Sequence, residues 1–194
     1  MDRDSCITMI PTAGFSNDLN FDAGGKHTIV IRSNGSIGIS GTSDNTWGTY
    51  NTPGGLSDLI SVAAGEDFSV ALQSDGTLTY WGREYFSNWV EALENVIQIS
   101  AGQNSFIALH EDGSVSYNIA GGGNASNVGS DGIKAVTSQE GNGHMVLKSN
   151  GSIQSYGGSL SFGESNYIDV SYGALHAVAL RSNGSIHNLS LIHI

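Results

Sequence analysis

His27 and His176 each stand three residues after a glycine, in the same slot of a recurring pattern, where a histidine could hold a metal or move a proton. In the other copies that slot holds Phe68, Ser105 and Gly143, so packing or hydrogen bonding is the expected role. His110 lies beside a hairpin and His144 within an apolar strand, and neither has an evident partner in the sequence. Asp18, Asn20 and Asp22 alternate as the first ligands of a calcium loop do, but Ala23 stands where that loop needs glycine and Ile29 where it needs a bidentate glutamate. The stretch therefore reads as a strand, with Leu19 and Phe21 inward and the polar residues outward. Gly121-Gly122-Gly123 and Gly141-Asn142-Gly143 lack the strand-loop-helix setting and the lysine of a phosphate cradle, so both read as connectors. Glu91, Glu94, Glu111 and Asp112 fall in turns, where a solvated face is expected. With no nucleophile elbow, no His-Glu-x-x-His helix and no Cys-His pair, neither a catalytic residue nor a metal site nor a cofactor is expected.

Two variable segments concentrate another kind of chemistry. Thr46-Trp47-Gly48-Thr49-Tyr50 supplies Trp47 and Tyr50, and the run from Arg83 to Trp89 supplies Arg83, Tyr85, Phe86 and Trp89. Aromatic rings beside an arginine give large contact area with few rotamers and a charge that stacks, which is what a protein-binding hot spot requires. The same residues would also suit an outer strand packed on its own sheet. They are the candidate partner-binding residues.

These segments are held by a chain of 194 residues, enough for one domain with a real core. Seven Lys+Arg against 18 Asp+Glu leave a net charge of -11, which repels phosphate backbones and disfavours nucleic-acid binding. The single cysteine, Cys6, can form no internal disulfide. No apolar run is long enough to span a bilayer, and Met1-Asp2-Arg3-Asp4 does not open a signal peptide, so membrane insertion is not expected.

A repeat organises nearly all of the chain. Ser33-Asn34-Gly35, Ser74-Asp75-Gly76, Glu111-Asp112-Gly113, Ser149-Asn150-Gly151 and Ser182-Asn183-Gly184 recur at glycine spacings of 41, 37, 38 and 33. Asn-Gly and Asp-Gly predict hairpin tips with two-residue type I′ turns. Asn-x-Ser sequons at Asn34, Asn150 and Asn183 are this motif followed by serine; another is at Asn124. An apolar triplet precedes each tip: Ile29-Val30-Ile31, Val70-Ala71-Leu72, Ile107-Ala108-Leu109, Met145-Val146-Leu147 and Val178-Ala179-Leu180. Consecutive apolar residues imply a strand buried on both faces, with its small middle residue against a close neighbouring sheet. Alternating segments such as Thr77–Gly82 supply the return strand. Eleven residues before the tip glycine stand Gly24, Gly65, Gly102 and Gly173, suited to a bulge, a positive φ or a close backbone approach. The fourth copy has Glu140 at that count, and its lead-in at Ala135-Val136 is displaced by one residue, which predicts a bulge there.

Small antiparallel sheets repeating at this interval without helical periodicity predict blades around an axis. The second copy carries Leu59-Ile60, Val62-Ala63-Ala64-Gly65, Ser69-Val70-Ala71-Leu72, Ser74-Asp75-Gly76 and Trp81-Gly82. In these residues the motif resembles the repeat of the regulator of chromosome condensation family, in a short form nearer to the family's bacterial propellers. The resemblance covers residues 19–188 and implies an all-β fold: a β-propeller of that type, present as an incomplete arc of four to five blades. Residues 1–18 are expected to be an N-terminal segment or a strand of a preceding blade. Residues 189–194 break the repeat and look like the translation of a sequencing adaptor, so they are set apart as a non-native tail.

The function expected from this is a non-enzymatic protein-interaction module, with a bacterial or viral surface as its setting. An inhibitor similar to the propeller-type β-lactamase inhibitor is the alternative. Guanine-nucleotide exchange, known in the chromatin-bound relatives, is disfavoured by the acidic chain, which has no basic tail. An open arc leaves blade faces exposed, so self-association is also expected.

Overall fold

The computed structural model describes residues 18–41, 45–119, 123–138, 143–157, 160 and 162–190. Cys6, the Glu140-Gly141-Asn142 run, Gly121, Gly122 and residues 191–194 lie outside that set. The chain forms five antiparallel sheets in sequence order. They are β1 (Asp18–Ala23), β2 (His27–Arg32) and β3 (Ile37–Gly41); β4 (Leu59–Ala64), β5 (Phe68–Gln73) and β6 (Leu78–Gly82); β7 (Val96–Ala101), β8 (Phe106–His110), β9 (Val115–Ile119) and β10 (Gly123–Val128); β11 (Gly132–Thr137), β12 (His144–Lys148) and β13 (Ile153–Tyr156); and β14 (Tyr167–Tyr172), β15 (His176–Arg181) and β16 (Ile186–Ser190). A single helical turn, α1 (Ser87–Val90), precedes β7. Among the described residues no helix is long and apolar enough to cross a membrane. Leu189 and Ser190, set apart in the sequence as tail, pair with Ala177 and His176 as the end of β16.

Each sheet packs on the next. The first strands β1, β4, β7, β11 and β14 touch in series, and the second strand of one sheet packs on the first strand of its successor. The middle sheets are therefore buried on both sides: β5 and β8 are buried along nearly their whole length, whereas β2 and β15, in the end sheets, are buried only in part. Within a strand, alternate residues face opposite neighbours. Val62 pairs with Ala71, Ile99 with Ala108 and Val170 with Ala179, each a large residue beside a small one on the face that meets the preceding sheet. The fourth sheet inverts the sizes, Ala135 pairing with Val146, and so keeps the summed volume.

The structure corrects four readings. The tips are not type I′. Asn34, Asp75, Asp112, Asn150 and Asn183 have no positive φ, only the glycines do, and Gly35 N donates to Arg32 O in a type I turn closed by a left-handed glycine. The Asn or Asp is there because its Oδ1 accepts from the amide two residues on, Ser36, Thr77, Ser114, Ser152 or Ser185. Second, the bulge is not special to the fourth copy. Every first strand has one, skipping Leu19, Ile60, Ile97, Ile133 and Ile168. Third, the fourth copy's equivalent of the repeat glycine is Ser138, not Glu140. Ser138 N donates to Gly143 O as Gly65 N does to Phe68 O, so that turn is two residues longer and the lead-in is in register. Fourth, the bulge reverses β1: Phe21 is exposed, while Asn20 and Asp22 face the second sheet.

Candidate functional site

The candidate residues separate into two groups. Gly82 ends β6 at φ 101°, and a Cβ there would lie 2.4 Å from Asp67 O, so the Trp-Gly ending lets Arg83 N donate to that carbonyl at 2.8 Å. This aims the Arg83 guanidinium between two rings, 4.5 Å from the Trp47 centroid and 4.6 Å from that of Tyr85. Both rings are exposed. Trp47 is set by the loop after β3, where Asn45 Oδ1 accepts from Tyr50 N and Trp81 Nε1 donates to Thr49 O. Beneath the stack, the buried Asp67 carboxylate lies 3.0 Å from Lys26 Nζ and 3.8 Å from Arg83 Nη1. Lys26 is also 3.6 Å from Glu66, which accepts from Gln103 Nε2. The result is a cation held by two π faces and one carboxylate, at the end of the sheets that carries the β1–β2 and β4–β5 turns.

Phe86 and Trp89 go elsewhere. Phe86 lies 5.2 Å from Phe68, 5.5 Å from Tyr80 and 6.4 Å from Phe106, and Trp89 meets Phe106 edge-on at 6.5 Å. α1 thus plugs its rings into the joint between the second and third sheets, and Trp89 Nε1 donates to Ser126 Oγ of β10. Tyr50 folds back over the end of β3, where a Cβ at Gly41 would come within 2.6 Å of its hydroxyl. Asp67, which backs the stack, was not singled out in the sequence, and Trp81 was read only as part of the repeat motif. The available signal was that Lys26 and Asp67 hold the same slot of successive copies with opposite charge.

At the opposite end, Trp89 also borders a cleft of about 720 Å³ lined by Leu93, Glu94, His110, Glu111, Asp112 and Asn127, among others. His110 is engaged there on both nitrogens: Nδ1 donates to Glu94 O at 2.8 Å, and Nε2 meets Ser116 Oγ at 2.7 Å. Asp112 Oδ1 accepts from Ser114 N at 2.8 Å. His27 and His144 likewise serve packing. His27 is buried with Nε2 2.7 Å from Ser69 Oγ of the next sheet, and burial lowers its pKa. His144 donates from Nε2 to Asn118 O, and burial depresses it to about 4. His176, in the His27 slot of the last sheet, is exposed. Among the described residues no group of three His, Cys, Asp or Glu side chains is placed to hold a metal.

No protein-family model matches the sequence, and no curated protein matches it. Solved structures do. The CRINKLY WD40 ectodomain of the Arabidopsis thaliana receptor kinase ACR4 aligns over 88% of this chain and 62% of its own, with 17% identity and a TM-score of 0.67. Human WBSCR16 aligns over 89% and 61%, with 15% identity and a TM-score of 0.66. Yeast RCC1 (Prp20), solved with Kap60, aligns over 86% and 54%, with 15% identity and a TM-score of 0.60. The chain thus spans roughly half to three-fifths of the length of these structures. Five successive small sheets, each stacked on the last, and this likeness give one conclusion: the chain has the all-β fold of an RCC1-type β-propeller, as an open arc of five blades.

Proposed function

We propose that the chain is a non-enzymatic protein-interaction module whose partner docks on the Trp47–Arg83–Tyr85 stack. The observation that carries this is a guanidinium held between two exposed rings and backed by a buried carboxylate. Its geometry is set before any partner arrives, so little side-chain entropy remains to be lost on binding. Aromatic and arginine side chains so fixed dominate protein interfaces. Propellers of this fold offer precedent: the yeast protein Prp20 was solved bound to Kap60 and is described with binding to Gsp1p and histones.

The test is affinity capture with the tagged chain, followed by titration of the captured protein against variants. Arg83→Ala and Trp47→Ala should each weaken binding by about 2 kcal/mol, roughly thirtyfold in Kd. Asn88→Ala, on an exposed site outside the stack, should leave it unchanged. Equal binding by all three variants would overturn the assignment.

A further inference from the structure

One pentapeptide, Ser-Asn-Gly-Ser-Ile, makes three of the five tips, at residues 33–37, 149–153 and 182–186. The first and fourth tips are each followed by another blade, so they set one sequence in two environments. Their internal geometry is the same. Gly35 N donates to Arg32 O at 2.8 Å and Gly151 N to Lys148 O at 2.9 Å, and the two glycines have φ 78° and 77°. Asn34 Oδ1 accepts from Ser36 N and Oγ, and Asn150 Oδ1 from Ser152 N and Oγ. Both asparagines are exposed.

The surroundings differ. Gly151 O accepts from Tyr167 N of the following blade at 3.0 Å, and a Cβ on Gly151 would lie 2.9 Å from Asn166 N. Ile153, just past the tip, is 7% exposed in the cluster between the fourth and fifth sheets. The second and third tips are clamped in the same way, Gly76 O accepting from Val96 N and Gly113 O from Gly132 N. Gly35 O receives no such bond from Leu59, which holds the matching place at the start of β4, and no described atom lies within 4 Å of where a Cβ on Gly35 would be. Ile37 is only half buried. The clamp always comes from the following blade, and for Gly35 that blade is present. The freedom of this tip therefore does not depend on what precedes the first blade.

We propose that Asn34 is a site of spontaneous deamidation in the folded protein, and that the clamp from the fifth blade protects Asn150 in the identical sequence. Glycine after asparagine leaves the main-chain nitrogen unshielded by any side chain. Gly35 N loses its proton and bonds to Asn34 Cγ; the Cγ–Nδ2 bond breaks, and Nδ2 takes up a proton and leaves as ammonia. Water then opens the cyclic imide at either carbonyl, giving aspartate or, with the main chain rerouted through the side-chain carbonyl, isoaspartate. In the closed tip the attacking nitrogen is tied to Arg32 O and the target amide to Ser36, so the reaction waits on local opening. Opening the first tip breaks only its own bonds. Opening the fourth also breaks the bond from Tyr167 N and disturbs the packing of Ile153, so fewer molecules are open at any moment.

The experiment incubates the wild-type chain in mildly alkaline buffer, once folded, with circular dichroism checked throughout, and once in denaturant. Trypsin then cuts after Arg32 and after Lys148, placing Asn34 and Asn150 on separate peptides; Asn142 and Asn183, also followed by glycine, fall on two others. Mass spectrometry follows the gain from exchanging NH2 for OH, and an isoaspartyl methyltransferase labels the isoaspartate. In denaturant the two peptides should convert at equal rates, because their local sequences are the same. In the folded chain Asn34 should convert faster than Asn150 by about fivefold or more, the effect of one additional hydrogen bond to be broken. Equal folded rates, a faster Asn150, unequal rates in denaturant, or an Asn34 that stays intact in the folded chain while the denatured chain converts would each overturn the proposal.

Discussion

Asp22 reaches across the first joint to accept from Ala64 N, and burial raises its pKa above the carboxylate norm. Charging it therefore costs the folded state more than the unfolded one. Stability tied to this group is highest while it is protonated and declines as pH rises through the raised value. Asp22→Asn keeps an acceptor oxygen without the charge, so it should melt higher than wild type at pH 7, and the advantage should shrink in acid. His144 has the opposite sign. Its folded pKa of about 4 lies below the ordinary value of 6.5, so its contribution is complete above pH 6.5 and is lost as pH falls toward 4. Urea titrations should show wild-type stability dropping in that window by up to roughly 1.4 kcal/mol per pH unit, with a flatter slope for His144→Gln. Glycine needs also differ by cause. A Cβ at Gly102 would lie 2.0 Å from Ser138 O, whereas Gly184, at φ 83°, has nothing within 4 Å. Gly102→Ala should cost about 3 kcal/mol by overpacking. Gly184→Ala should cost only the left-handed strain of about 1–2 kcal/mol, read from the same urea curves. The sequence offered bulge, positive φ and close approach as uses for the repeat glycines; only packing against the next blade selects the third at Gly24 and Gly102, and no local pattern reports it.

At the scale of strands, the large–small pairs make a sharper test. Val62→Ala alone should cost about 2 kcal/mol through a cavity, and Ala71→Val alone about 1–3 kcal/mol through crowding. Together they recreate the Ala135–Val146 arrangement of the fourth blade, so the double variant should lose clearly less than the sum, as a double-mutant cycle in urea would show. Strand order, tips and doubly buried second strands were legible in the sequence because they depend on neighbours within a few residues, such as Ser74-Asp75-Gly76 after Val70-Ala71-Leu72. What escaped was set across joints or by insertions. Counting back from Gly151 lands on Glu140 because the turn before β12 is longer, and Phe21 turns outward because a bulge at Leu19 shifts the alternation. The aromatic segments look alike in sequence, yet Phe86 is drawn into the joint by Phe68 and Phe106 while Trp47 is kept at the surface by Arg83.

Across the whole molecule, a linear stack makes stability a sum of blade and joint contributions, greatest in the middle. Hydrogen exchange at low protein concentration should find β8 amides slowest and those of β2 and β15 faster; uniform protection would contradict an open arc of unequal blades. The inverted pair in the fourth blade has a consequence for how such genes can change. A recombination crossover falling between the first and second strands of misaligned repeats would join Ala135 to an alanine partner or Val146 to a valine partner, giving a hole in one product and a clash in the other. Crossovers in the linkers between blades carry each matched pair along intact. Duplication and loss in this array should therefore proceed by whole blades, with the seams in the loops.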